Sequence, residues 1–288
     1  MEERTILKKC KISGFADEID QSMECQLHLL RELGISYMEF RSGDGRGVAD
    51  YSEKQAEELK KELSENKIGV SAIGSPIGKI GILDDFEPHF ASFQHVCALA
   101  DILETKKIRM FSFYVPEQEK PEKYWDEVRR RMDLMVNYAG KKGLVLQHEN
   151  EKGIYGHNAS RCYELMKEFD GPSFACTFDF ANFVQCKQDT MEAYELLKSY
   201  ITYIHVKDAI WDSGMVVPAG MGDGNVAAIF QKLEADGFEG FLSLEPHLTD
   251  FVGLQGLEKG AKQRGRSDGA EAFCQAHQAL QKLLTSIE

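Results

Sequence analysis

Apolar residues along this chain alternate between two periods. Short strand-like runs at 10–17, 35–41, 68–74, 107–114, 143–149, 173–179, 201–207 and 240–245 are separated by amphipathic stretches with helical spacing. The first such stretch carries Leu27, Leu29, Leu30 and Leu33. The second runs from Ser52, a suitable N-cap with Glu53 in the first turn, to Asn66, ahead of Lys67 and Gly69. Further helices are expected near 85–104, 120–142, 158–169, 190–200, 225–236 and 268–286. Strict βα alternation implies a parallel sheet, and eight such units in 288 residues close into a barrel. The expectation is an α/β protein, a single (β/α)₈ TIM barrel over 1–288, with a long loop after strand eight at about 249–267. An open doubly wound sheet is the structural alternative, but it would not bring the ends of strands five to eight into one ring.

Those four ends carry the chemistry. Leu144-Val145-Leu146-Gln147-His148 runs into Glu149, Phe174-Ala175-Cys176-Thr177-Phe178 into Asp179, Ile201-Thr202-Tyr203-Ile204 into His205, and Gly240-Phe241-Leu242-Ser243-Leu244 into Glu245. In a parallel barrel, the carboxyl ends of the strands converge on one mouth. Residues two apart share a face, so Gln147, Thr177, Tyr203, Lys207 and Ser243 point inward with them, while Phe178, Ile204, Val206 and Leu244 face helices. Three converging carboxylates repel one another, by roughly 4 kcal/mol per pair at ~4 Å and an effective dielectric of ~20. One divalent cation removes that cost. Oxygen and imidazole donors suit Mn²⁺, with Mg²⁺, Co²⁺ and Zn²⁺ as alternatives.

Composition narrows the partner. A net charge of −13 argues against nucleic acid and for a small molecule. No apolar run approaches the ~20 residues that span a bilayer, and Met1-Glu2-Glu3-Arg4-Thr5 does not read as a secretory signal. Seven scattered cysteines, odd in number and never in a C-x-x-C pair, read as reduced thiols of a cytoplasmic protein. No interface is legible, so a homo-oligomer stays open.

His148-Glu149-Asn150-Glu151, Phe178-Asp179-Phe180-Ala181-Asn182, His205-Val206-Lys207-Asp208 and Leu244-Glu245-Pro246-His247 resemble the signatures of the xylose isomerase-like barrel superfamily. The likeness extends from Gly14-Phe15-Ala16-Asp17 to about residue 248. Its members include sugar and sugar-phosphate isomerases, keto-sugar 3-epimerases, inosose dehydratases and apurinic-site endonucleases. The resemblance implies one divalent metal held by Glu149, Asp179, His205 and Glu245. It also implies that Glu149 and Glu245 move the proton of a ketose, keto-polyol or sugar phosphate through an enediolate. A dehydratase of the inosose type is the alternative; a nuclease and a non-catalytic sugar-binding barrel rank below it. Where the epimerases and endonucleases carry a histidine three residues past the strand-six aspartate, this chain has Asn182, and strands two and three offer only Glu39, Arg41 and Ser71. Both departures count against a three-metal nuclease.

Substrate contacts are expected from Asn182, Lys207, Arg41, His247 and Lys79. Lys207 has a salt bridge to Asp208 or a neighbouring carboxylate as its alternative, Arg41 an ion pair with Glu39 or Asp17, and Lys79 a solvated position. His148 is expected to pack away from Glu149. Phe15, Phe113, Tyr114, Phe183 and Trp211 could wall the pocket, and the histidines at 28, 89, 95, 157 and 277 lie away from the mouth. Gly220 to Gly224 lacks dinucleotide-fingerprint spacing and reads as a turn into the helix near Asn225, with a phosphate on that helix as the alternative. Lys259, Lys262, Arg264 and Arg266 form a basic cluster, read as a loop or subunit contact.

Overall fold

A computed structural model describes Leu7, residues 10–249 and residues 269–287. Eight strands form the barrel: β1 Lys11–Gly14, β2 Tyr37–Phe40, β3 Gly69–Gly74, β4 Lys107–Met110, β5 Val145–Glu149, β6 Phe174–Asp179, β7 Ile201–Val206 and β8 Phe241–Leu244. They pair in the order β1-β8-β7-β6-β5-β4-β3-β2, every ladder parallel. β1 and β2 are the two ends of this nearly closed barrel. Polar side chains bridge its interior, Ser13 meeting Ser71 at 2.6 Å and Ser71 meeting Tyr203 at 2.8 Å.

The helices are α1 Met23–Glu32, α2 Glu53–Glu65, α3 Phe86–Ile102, α4 Trp125–Lys141, α5 Ala159–Glu168, α6 Phe180–Gln185, α7 Thr190–Leu197, α8 Val226–Ala235 and α9 Gly269–Ser286. Local chemistry starts several of them. Ser52 and Gln55 form a reciprocal capping box on α2, and Asn158 and Asp189 accept the first free amides of α5 and α7. β5 and β6 are buried on both faces, as parallel strands under helices must be. Phe178, on the outward face of β6, packs against Phe180 and Phe183 at ring distances of 5.1 and 5.0 Å. Full burial of such a ring stabilises by roughly 1.5–3 kcal/mol.

Some boundaries differ from expectation. β1 stops at Gly14 because Ala16–Glu18 tightens into a 3₁₀ turn. β4 stops at Met110; three residues on, Phe113 takes a left-handed backbone (φ 68°) that no strand accommodates. α6 was not anticipated. Neither were two short hairpins, Ser42–Gly43 with Arg46–Gly47 and Asp208–Ala209 with Val216–Val217. The first turns through Asp44 and Gly45, both at positive φ, the Asp-Gly signature of a tight hairpin. Of the long loop expected at 249–267, everything past Thr249 lies outside the described residues, as does the Lys259–Arg266 cluster. Among the described residues no helix is long and apolar enough to cross a membrane, and all seven cysteines are free thiols.

Candidate metal centre

The strand ends bring Glu149, Asp179, His205 and Glu245 together, all buried, with one donor atom from each lying within 4.8 Å of the others. His205 sits at the centre. Its Nδ1 is 3.0 Å from Glu149 Oε1, 3.3 Å from Glu245 Oε2 and 3.7 Å from Asp179 Oδ2. Its Nε2 is 3.1 Å from Glu39 Oε2, and Glu39 also accepts from the Ser243 hydroxyl at 2.7 Å. With a cation among the carboxylates, Glu39 would hold the proton on Nε2 and leave Nδ1 to act as a ligand.

The donor set fits a divalent cation. Glu149 Oε2, Asp179 Oδ2 and His205 Nδ1 are buried and make no hydrogen bond, whereas buried polar atoms nearly always do. Arg109 and Lys207 form ion pairs with the two carboxylate oxygens at 3.2 Å, while His205 Nδ1 faces three carboxylates, an arrangement that a cation bound among them would satisfy. Electrostatics agree that positive charge belongs here. Burial disfavours an imidazolium at His205, yet Glu149, Glu39 and Glu245 outweigh it and raise its pKa well above the usual value. Burial also works against ionised Glu149, but His205 and Arg109 hold its carboxyl at about 2. Asp179 is pushed up to about 7 by burial; Lys207 opposes that shift, and Glu149 and Glu245 add to it. Glu245 ionises well below the ordinary range, since Lys207, His247 and His205 together overcome its burial.

Cationic side chains surround the four strand-end residues. Lys207 Nζ lies 2.9 Å from Glu245 and 3.2 Å from Asp179, not against Asp208. Arg41 bonds Asp17 at 2.8 Å, Glu18 at 3.1 Å and Glu245 at 3.3 Å, and does not pair with Glu39. His247, in a left-handed backbone, is 3.3 Å from Glu245 and 3.4 Å from Glu18. Glu18, Glu245 and His247 form a second group close enough to hold an ion, but Arg41 already supplies their positive charge. Asn182 donates to Glu149 Oε1 at 3.1 Å, and its own amide is capped by Asp179 at 2.7 Å. Lys79 lies further out, 2.9 Å from Glu151. His148 faces away from the cluster and meets Ser112 at 3.0 Å.

Two residues of this shell escaped the sequence reading of roles, namely Glu39 behind His205 and Arg109, whose Nη1 is 3.2 Å from Glu149. Their signal was present. Each is a lone charge between apolar residues of a buried strand, in Met38-Glu39-Phe40 and Ile108-Arg109-Met110. The glycine run also has a clear account. Asp208 accepts the amides of Ala209, Gly220, Gly222 and Gly224 at 2.8–3.0 Å, which draws the loop after β7 together. A Cβ at Gly224 would lie 2.5 Å from that carboxylate. These amides are taken up by Asp208, not presented to a phosphate. Of the aromatic wall, Phe15 packs edge-on against His205 at 5.2 Å, and Trp211 is partly exposed.

A family model described as xylose isomerase-like TIM barrel matches residues 27–267. The chain belongs to that family. Comparison with curated proteins gives no significant match. Among solved structures, an L-ribulose 3-epimerase superposes with TM-score 0.76 at 17% identity, over 96% of this chain and 95% of its own. A probable 3-DHS dehydratase of petrobactin synthesis from Bacillus anthracis gives 0.72 at 16%, over 94% and 98%. A xylose isomerase-like TIM barrel protein from Mycobacterium smegmatis, in complex with magnesium, gives 0.67 at 16%, over 98% and 99%. At such identities the likeness is one of fold.

Proposed function

We propose that this xylose isomerase-like barrel is a divalent-metal-dependent isomerase or epimerase of a ketose, keto-polyol or sugar phosphate, acting by proton transfer through an enediolate. One observation carries the reading. Two buried glutamates, Glu149 on β5 and Glu245 past β8, approach the same imidazole nitrogen at 3.0 and 3.3 Å. Carboxylates from separate strands can serve two faces of one carbon. Glu149, Asp179, His205 and Glu245 would hold the ion, with Mn²⁺ the first choice for their oxygen-rich set. A bound divalent ion acts as a Lewis acid that acidifies the C–H beside a carbonyl.

The chain supplies the rest. Both glutamates are ionised at neutral pH and are ready to accept a proton. Arg109 and Asn182 fix Glu149 through its two oxygens, and Arg41 and Lys207 do the same for Glu245. Asp208 pins the loop after β7, and Phe15 covers His205, limiting water. The structural likeness to an L-ribulose 3-epimerase supports this reading.

Loss of water from a keto-polyol is the second reading, favoured by Lys207. Its ammonium, 2.9 Å from Glu245, is placed to protonate a departing hydroxyl. One experiment separates the two. Mn²⁺-loaded protein is incubated with ketoses in D₂O and followed by mass spectrometry and NMR. Deuterium uptake at constant carbon skeleton, abolished in Glu149→Gln and Glu245→Gln, supports the epimerase. A mass loss of one water supports the dehydratase. Turnover by both glutamine variants at near wild-type rates sinks the proposed roles of the glutamates.

A further inference from the structure

Beside the four strand-end residues, over the ends of β2, β3 and β4, lies a cavity of about 340 Å³. None of the four proposed ligands lines it. It adjoins them through two of its walls, Arg41, which reaches Glu245, and Arg109, which reaches Glu149. Four cationic side chains line it, Arg41, Arg46, Lys79 and Arg109, against two carboxylates, Asp17 and Asp50. In a chain of net charge −13 that is a local reversal of sign.

Arg109 is the most informative of the four. Its side chain is only 3% exposed, yet among the described residues its guanidinium makes one ion pair, to Glu149, and its buried Nε makes no hydrogen bond. A guanidinium carries five N–H groups, and leaving its buried Nε–H without an acceptor is costly. Its place is held by aromatic faces, 4.6 Å from the Phe111 centroid and 5.3 Å from that of Phe15. Gly74 permits this packing, since a Cβ there would come within 2.5 Å of the Phe15 ring. Arg46 is half-buried on the Asp44-Gly45 hairpin and rests 5.4 Å from the Tyr51 ring; among the described residues it forms no ion pair. Lys79 lies over Phe111 at 4.4 Å with Glu151 behind it. Arg41, by contrast, is committed to its three carboxylates.

We propose that the substrate is anionic, a ketose or keto-polyol carrying a carboxylate or phosphate that sits in this cavity on Arg109, Arg46 and Lys79, with its carbonyl end toward Glu149 and Glu245. The proposal deepens the isomerase reading and rests on it for the carbonyl end alone. Planar guanidinium forks match the oxygens of carboxylate and phosphate, and their fixed positions lower the entropic cost of binding. A neutral sugar would leave Arg109 with Glu149 as its one anionic partner among the described residues and would gain less from the pocket.

Calorimetry on the whole chain loaded with Mn²⁺ tests this, using D-fructose, D-fructose 6-phosphate and 5-keto-D-gluconate as probes, with wild type beside an Arg46→Gln/Lys79→Gln double variant. At least one charged probe is expected to bind tenfold or more tighter than fructose. The double variant should lose most of that preference, with fructose affinity changed less than threefold and melting temperature retained. Whether the phosphate or the carboxylate probe wins identifies the anion. Equal affinity for charged and neutral probes, or a preference that survives the double variant, overturns the proposal. Inorganic phosphate titrated into the chain stripped of metal and then dialysed free of chelator reads the pocket alone. Its binding, weakened in the double variant, supports the anion site even if Mn²⁺ fails to bind and the isomerase reading falls; its absence counts against the site.

Discussion

Replacing Glu39 by glutamine tests the central electrostatic argument, because Glu39 lies behind His205, on the side away from the three carboxylates. Its carboxylate is 3.1 Å from His205 Nε2 and is otherwise engaged by Ser243. Removing a full charge at that distance, with an effective dielectric of ~20, gives an upper limit of about 5 kcal/mol. Glutamine keeps a carbonyl acceptor for the Nε2 proton and relieves the cost of burying a carboxylate, so the net effect is smaller. Changes behind a ligating histidine typically cost 10–100-fold in metal affinity, about 1.4–2.8 kcal/mol. Mn²⁺ titration followed by the EPR signal of the free ion should therefore show a Kd raised roughly thirtyfold. Linkage provides a second readout. At a Mn²⁺ concentration one hundred times the wild-type Kd, the ion stabilises the fold by about 2.7 kcal/mol, and a thirtyfold weaker site retains about 0.9 kcal/mol. The Mn²⁺-dependent rise in melting temperature should shrink by about 4 °C. If Glu39→Gln binds Mn²⁺ within threefold of wild type, Glu39 does not set the tautomer of His205, and the proposed ligation through Nδ1 is wrong.

Two further predictions concern stability. Asp208→Ala leaves the four loop amides it now binds without their acceptor; charge-assisted bonds contribute roughly 1.5–3 kcal/mol each, partly recovered by water, so urea denaturation should report a loss of about 3–5 kcal/mol. A loss under 1 kcal/mol would show that the loop is held elsewhere. His89 accepts a hydrogen bond from the Gly78 amide at 2.8 Å, and burial, aided by Arg131, lowers its pKa to about 4. The unfolded chain then binds more protons between about pH 6.5 and pH 4, so its contribution is complete above pH 6.5 and is lost as pH falls toward 4. After allowance for partial exposure the effect is roughly 2 kcal/mol. His89→Gln, which keeps an acceptor but does not titrate, should flatten the acid limb of stability against pH by that amount; an unchanged slope would rule out the assignment.

The sequence by itself determined the barrel and which four strand-end side chains meet at its mouth. Periodicity is a local property, so alternation along 143–149 and 173–179 and the capping residues Ser52, Asn158 and Asp189 were readable without contacts. Parallel topology then obliges the ends of consecutive strands to meet, and Glu149, Asp179, His205 and Glu245 do meet. Only the tertiary structure decided which charges face which. Glu39 and His205 are 166 residues apart, and Arg41 and Glu245 are 204 apart; nothing local pairs Arg41 with Asp17 and Glu18 in preference to Glu39. The cavity is likewise a product of closure, assembled from the ends of β2, β3 and β4 and a hairpin whose Asp-Gly turn was legible but whose placement of Arg46 was not. Pattern specifies which face of an element is buried, whereas the partners of a buried charge depend on register and barrel curvature, which the chain acquires only when the strands close around one another.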